Sequence, residues 1–125
     1  GYATGLDMTR RDLQQTLRQK GHPWCISKGF DASAPIAPIV PVAAAGNISQ
    51  ASISLQVNGQ TRQSSHINCM IWNIAATIAA ASRGWELQAG DLIFTGTPAG
   101  VGAVVQGDEL VGSISGLPEV RVRVV

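Results

Sequence analysis

"SISLQVNGQTRQSS", residues 52–65, is the stretch on which the fold turns. Ile53, Leu55 and Val57 alternate with polar residues, the period of a strand with one buried face. Asn58-Gly59 follows, a pair that tolerates the left-handed backbone of a two-residue turn. The stretch predicts a β-hairpin.

Further along, "GDELVGSISGLPEVRVRVV" (residues 107–125) reads as two more strands, the last with strict Val/Arg alternation. Between hairpin and strands, Ile67, Met70, Ile71, Ile74 and Ile78 recur at helical spacing. They predict a core-packed helix over about Ser65 to Arg83, closed by Gly84. "GDLIFTGTPAGVG" (residues 90–102) predicts a short buried strand running into a glycine-rich loop.

Before the hairpin, "MTRRDLQQTLRQKGHP" (residues 8–23) is the clearest helix. Thr9 is the N-cap candidate, Asp12 suits the first turn, and Leu13 and Leu17 form an apolar pair. Lys20, Gly21 and Pro23 supply stop signals. Arg11, Gln14 and Arg18 fall on a different side from the leucines. "PWCISKGFDASAPIAPIVPVAAAGN" (residues 23–47) carries prolines at 23, 35, 38 and 41, which predict an extended, irregular run without helix.

The chain has 125 residues, enough for one domain; 45% are hydrophobic and only 14% charged. So few charges imply surface that is normally covered by a partner or by more chain. A formal charge of +1 gives no electrostatic case for nucleic acid or anionic lipid. Cys25 and Cys69 form no CxxC and read as reduced and packed. No apolar run approaches the roughly 20 residues of a membrane span, and no N-terminal signal is visible; a cytoplasmic location is the expectation. "GYATGLD" at the start resembles the end of a strand, so the chain is expected to be the C-terminal part of a longer protein.

Three places suggest chemistry, each with a plainer alternative. Asp7, between an apolar lead-in and a helix start, suits a hard cation such as Mg²⁺ or a turn-capping role. Lys28, between Trp24 and Phe30, suits a developing enolate or oxyanion, or a snorkelling surface position. "TGTPAGVG" (residues 95–102) suits an anion cradle or a tight turn. It lacks the features of a Walker or dinucleotide loop. His22 and His66 are isolated, with no metal-ligand spacing.

Taken together, "GLDMTRRDLQ", "GHPWCISKGFD", "VNGQTRQ", "MIWNIAATIAAAS", "LQAGDLIFTGTPAGVG" and "GDELVGSISG" resemble the C-terminal half of the fumarylacetoacetate hydrolase superfamily. They look most like its acylpyruvase, oxaloacetate tautomerase and hydroxymuconate-type isomerase branch. The resemblance implies an α+β, mainly β fold: a mixed β-sandwich roll with two helices, in which residues 1–125 are the C-terminal part of one catalytic domain. It implies a homodimer, a Mg²⁺ or Mn²⁺ cofactor, and a small 2-oxo or diketo acid substrate cleaved at a C–C bond, decarboxylated or isomerised. By motif, Asp7 is a metal ligand; Arg11, Gln14, Lys28, Thr95 and Gly96 meet substrate; Lys28 and Thr95 are catalytic. The family's Glu-x-Glu metal pair and lid histidine have no match: the only glutamates are Glu86, Glu109 and Glu119. An N-terminal segment is expected to supply them. The other class of reading is a truncated, partner-dependent structural remnant.

Overall fold

The computed structural model describes residues 1–125. Strand β1 (Ser52–Val57) and strand β2 (Gln60–His66) form the hairpin expected from residues 52–65. Val57 pairs with Gln60, and Asn58 (φ 51°) and Gly59 (φ 75°) both occupy the left-handed region of a type I′ turn. Asn58 also ties the turn to the next strand. Its Nδ2 donates to Asp108 Oδ1 at 2.7 Å, and its Oδ1 accepts from the Glu109 N–H at 2.9 Å.

Strand β3 (Glu109–Ile114) pairs antiparallel with β1, and strand β4 (Val120–Arg123) with β3. The sheet order is β2-β1-β3-β4, so both C-terminal strands stand as the sequence predicts. One irregularity matters later: Leu55 pairs with Gln63 but Gln56 pairs with Thr61, which leaves Arg62 as the extra residue of a β-bulge.

A second layer covers one sheet face. Residues 2–8 run beside residues 33–40 through backbone bonds from Leu6 N–H to Pro35 O, Met8 N–H to Ser33 O, and between Tyr2 and Val40. The proline-rich run is extended here because it needs to donate only from its non-proline positions. Leu6, Ala37, Val57, Leu110 and Val120 meet between these layers as the core. A large apolar side chain of this kind contributes roughly 1.5–3 kcal/mol through burial when it is fully enclosed. Gly112 lets the layers touch: a Cβ there would lie 2.9 Å from Val120 Cγ1 and 3.0 Å from Leu6 Cδ2.

Helix α1 (Arg11–Gln19) buries Leu17 and ends at Lys20, with Gly21 left-handed (φ 64°). Its cap differs from expectation. Arg10 is the N-cap and makes no side-chain cap bond. The Thr9 hydroxyl instead accepts from Lys28 Nζ at 2.9 Å. The proline-rich run does hold two single turns, α2 (Cys25–Lys28) and α3 (Val42–Ala45). The latter starts directly after Pro41, where a missing N–H costs nothing.

The expected helix over 65–83 is mostly something else. Ser65 and His66 belong to β2, held there by pairing with β1, and Ile67–Cys69 form a 3-10 turn. Only Ile74–Ala81 form helix α4, capped by Asn73 Oδ1 accepting from the Ala76 N–H at 2.8 Å. None of its residues is buried, and Ile71 is 100% exposed, so its apolar spacing does not mark core in this chain. "GDLIF" forms no strand, because it meets no neighbour to pair with; Leu92 and Phe94 are exposed. Cys25 and Cys69 are free thiols as expected, but both are exposed rather than packed.

Twelve of the 125 residues are buried, and Trp24, Trp72 and Trp85 are all exposed. The scarcity of charge thus has a structural counterpart in a large uncovered apolar surface. No helix is long and apolar enough to cross a membrane.

Candidate active site

A cleft of about 730 Å³ opens between the two layers. Leu55, Val57, Leu110 and Gly112 of β1 and β3 form its floor. Residues 4–12 and Lys28 form one wall, and the glycine-rich loop from Gly96 to Val104 forms the other. Its charged lining is Asp7, Arg10, Arg11, Asp12, Lys28 and Arg62: four cations against two carboxylates. Such a balance attracts a small anion.

Lys28 is placed by the α2 turn. Ser27 is fully buried, its hydroxyl donating to Trp24 O at 2.7 Å while its own carbonyl accepts from the Arg10 N–H at 3.0 Å. This docks α2 against the start of α1 and aims the next side chain into the cleft. Lys28 Nζ then donates to Asp7 Oδ2 at 2.8 Å and to Thr9 Oγ1 at 2.9 Å. An ammonium has three N–H donors, so one remains for a ligand. With side-chain exposures of 37% and 48%, the Lys28–Asp7 pair is accessible and worth at most about 1 kcal/mol to stability. Its value is positional.

Arg10 and Arg11 stand at the N-terminal end of α1, where a cation opposes the helix dipole. Arg10 is steadied by lying over the Phe30 ring, 4.5 Å from its centroid. Both arginines line the cleft and add to its positive charge.

The opposite wall rests on the β2 bulge. Gly100 (φ 102°) lies directly on the Arg62 carbonyl, so close that a Cβ would overlap it. Gln63, 8% exposed, donates through Nε2 to Thr97 Oγ1 at 2.8 Å and to Pro98 O at 2.6 Å. Gly5 completes the fit, with Phe94 Cε1 3.0 Å from the place of its missing Cβ.

Of the residues singled out by sequence, Asp7, Arg11, Lys28 and Gly96 come together in the cleft lining. Gln14 and Thr95 lie outside it; Thr97, two residues on, is inside. The sequence singles out none of Thr9, Arg10, Arg62 and Gln63 as site residues, and it offers Thr97 only as one of the loop's hydroxyls. The signals are slight: a polar residue just past the Asn58-Gly59 turn, and a second threonine in the same loop.

The residues fit one leg of a divalent-metal site. Asp7 Oδ1 makes no hydrogen bond within the chain, while Oδ2 is taken by Lys28. No group of three His, Cys, Asp or Glu side chains could hold a metal ion. Hard cations of this kind usually need more carboxylate than Asp7 alone. Two carboxyls elsewhere are held below their usual range. Asp108 is lowered by the Val105 N–H and then by Asn58, and Glu119 by Arg121 and then by Ser113. Both fasten the sheet rather than the cleft.

Fold and cleft together define an α+β domain with a cation-rich cleft between a lysine-bearing wall and a glycine-rich loop. The chain belongs to the fumarylacetoacetate hydrolase family: its C-terminal family model matches residues 1–125. A fumarylpyruvate hydrolase from Ralstonia sp. is 49% identical over 124 residues, covering 99% of this chain and 64% of the relative. The mitochondrial oxaloacetate tautomerase FAHD1 of Pongo abelii is 41% identical over 124 residues, covering 99% of this chain and 56% of the relative. The crystal structure of a fumarylpyruvate hydrolase from Pseudomonas aeruginosa, in complex with Mn²⁺ and pyruvate, superposes with a TM-score of 0.96 at 56% identity. The match covers 100% of this chain and 54% of that one. The α+β, mainly β architecture is therefore that family's, and the chain spans roughly half to two thirds of the length of these relatives.

Proposed function

We propose that residues 1–125 are the substrate-holding C-terminal part of an enzyme that acts on acylpyruvates or related small 2-oxo (diketo) acids, cleaving a C–C bond by way of an enolate. The observation that carries this reading is Lys28: an ammonium fixed by Asp7 and Thr9, with one N–H left over, inside a cleft rich in cations.

A fixed ammonium stabilises charge that develops on an enolate oxygen without reorganising first. Arg10 and Arg11 attract the substrate carboxylate to the mouth, and Gly96 and Thr97 present the loop to its other side. Arg62 adds a cation at the bulge. A divalent cation, Mg²⁺ or Mn²⁺, would take Asp7 as one ligand and require further ligands that these residues do not supply; when bound, it provides Lewis-acid polarisation. We assign those ligands to an N-terminal segment of the full-length protein, and the exposed tryptophan surface to cover by that segment and by a second copy in a homodimer.

A second reading within the family is a tautomerase or decarboxylase acting on oxaloacetate. It is supported by the 41% identity to the oxaloacetate tautomerase FAHD1 of Pongo abelii, and a fixed ammonium at the enolate oxygen serves proton movement on a 2-oxo acid as well as cleavage. The test is a substrate panel on the full-length protein with Mn²⁺ or Mg²⁺. Turnover of acetylpyruvate or fumarylpyruvate to two acids supports hydrolysis. Keto–enol exchange or decarboxylation of oxaloacetate alone supports the second reading. No reaction with any 2-oxo acid supports a structural remnant and defeats both.

A further inference from the structure

We propose that Gln63 is a positioning residue that engages a lone pair of the Thr97 hydroxyl and so leaves its hydrogen to be donated into the cleft. The proposal rests on the cleft's role as a 2-oxo acid site.

The orientation of the Gln63 amide follows from its partners. Pro98 O, 2.6 Å away, is a carbonyl and can only accept. The amide atom facing it must therefore be the NH₂ group, not the carbonyl oxygen. The same nitrogen lies 2.8 Å from Thr97 Oγ1. An amide nitrogen cannot accept, so Thr97 receives this bond on a lone pair, and both amide hydrogens are spent. Thr97 Oγ1 has no other partner in the chain. Its hydroxyl hydrogen is left to point into the cleft that Thr97 lines.

The result is a relay of fixed polarity. Pro98 O orients the amide, the amide orients the hydroxyl, and the hydroxyl offers a hydrogen to whatever occupies the cleft. It favours an acceptor, such as a carboxylate or enolate oxygen, over a donor. The β-bulge at Arg62 is what allows this, because it displaces β2 just before Gln63 and lets the loop descend onto the strand. At 8% exposure, the amide is shielded from water that would otherwise compete for either bond.

The test compares Gln63→Glu with Gln63→Met in the full-length, Mn²⁺-loaded protein, reading pyruvate affinity by calorimetry and melting temperature alongside. Both variants lose the two donors and similar loop support. The carboxylate introduced by Gln63→Glu, unlike the thioether of Gln63→Met, accepts the Thr97 hydroxyl hydrogen and turns a lone pair toward the ligand. Pyruvate is expected to bind Gln63→Glu at least about tenfold more weakly than Gln63→Met, the loss of one well-placed hydrogen bond. In a Thr97→Val background that gap is expected to shrink below about threefold, because no hydroxyl remains to be turned. Equal affinities of the two variants overturn the proposal. So does a gap that persists in Thr97→Val, which would reflect charge repulsion alone, and so does a parent protein that binds no pyruvate. A parent protein that binds pyruvate but turns over no 2-oxo acid defeats the proposed function and leaves the relay to be judged by these affinities.

Discussion

Replacing Gly100 by alanine tests whether the glycine-rich loop truly rests on the β2 bulge. At φ 102° a side chain is disfavoured whatever the space around it. Left-handed backbone costs an L-residue roughly 1–2 kcal/mol. The added Cβ would also overlap the Arg62 carbonyl, and backbone cannot rotate away as a side chain can. Relief requires lifting the loop, which breaks both Gln63 bonds, at about 0.5–1.5 kcal/mol each. Loop seating is therefore weakened by about 2–5 kcal/mol, or at least about thirtyfold in an opening equilibrium. Limited proteolysis reads this directly: cleavage within residues 96–102 should quicken by about that factor, while β1 and β3 stay intact. Gly102→Ala is the control, because no atom lies within 4 Å of its Cβ position and its φ is not positive. Unchanged loop cleavage in Gly100→Ala, or equal damage in Gly102→Ala, would refute the described seating.

Gly112→Ala should lower the melting temperature through overpacking of about 1–3 kcal/mol, since its Cβ would press on Val120 and Leu6; a neutral result would mean that the layers are looser than described. Thr4→Val should be neutral or stabilising, because Thr4 is 2% exposed and its Oγ1 has no hydrogen-bond partner. Removing an unsatisfied buried hydroxyl recovers part of a penalty of about 1–3 kcal/mol, and a lower melting temperature would show that the hydroxyl is bonded. Asp108, whose carboxyl is held below the usual range by the Val105 N–H and Asn58, contributes stability that is present above the ordinary aspartate range and lost as pH falls through its lowered value. Asp108→Ala should flatten the acid limb of a melting-temperature profile below about pH 4; an unchanged limb would dissociate Asp108 from it.

What the sequence discloses is local. The Asn58-Gly59 turn and the Val120–Arg123 alternation carry their structure within a few residues, and both are legible. Ser65 and His66 read wrongly as helix because their pairing with Ile53 and Ser52 is set across the hairpin, not along the chain. The Ile/Met spacing after them marks an apolar face that nothing in the chain covers, so periodicity predicts burial that is not there. In the site, Asp7 and Lys28 lie 21 residues apart and are joined in the sequence only through family resemblance; in space a 2.8 Å ion pair joins them. Gln63 and Thr97 lie 34 apart, and their contact depends on a bulge that no local pattern announces. Nor can two threonines flanking Gly96 be told apart by composition; only the loop's seating turns Thr97 inward.

The most direct measurement is turnover of an acylpyruvate by the full-length, metal-loaded Lys28→Met protein. Methionine keeps the length and apolar stem of lysine and removes only the ammonium. The lost ion pair is partly exposed, so the melting temperature should move little. Loss of a fixed donor at the developing charge should lower kcat by about 10²–10³. Such a fall, with the fold retained, is the expected result. A Lys28→Met protein that keeps the parent kcat would contradict the assignment of this cleft as the active site.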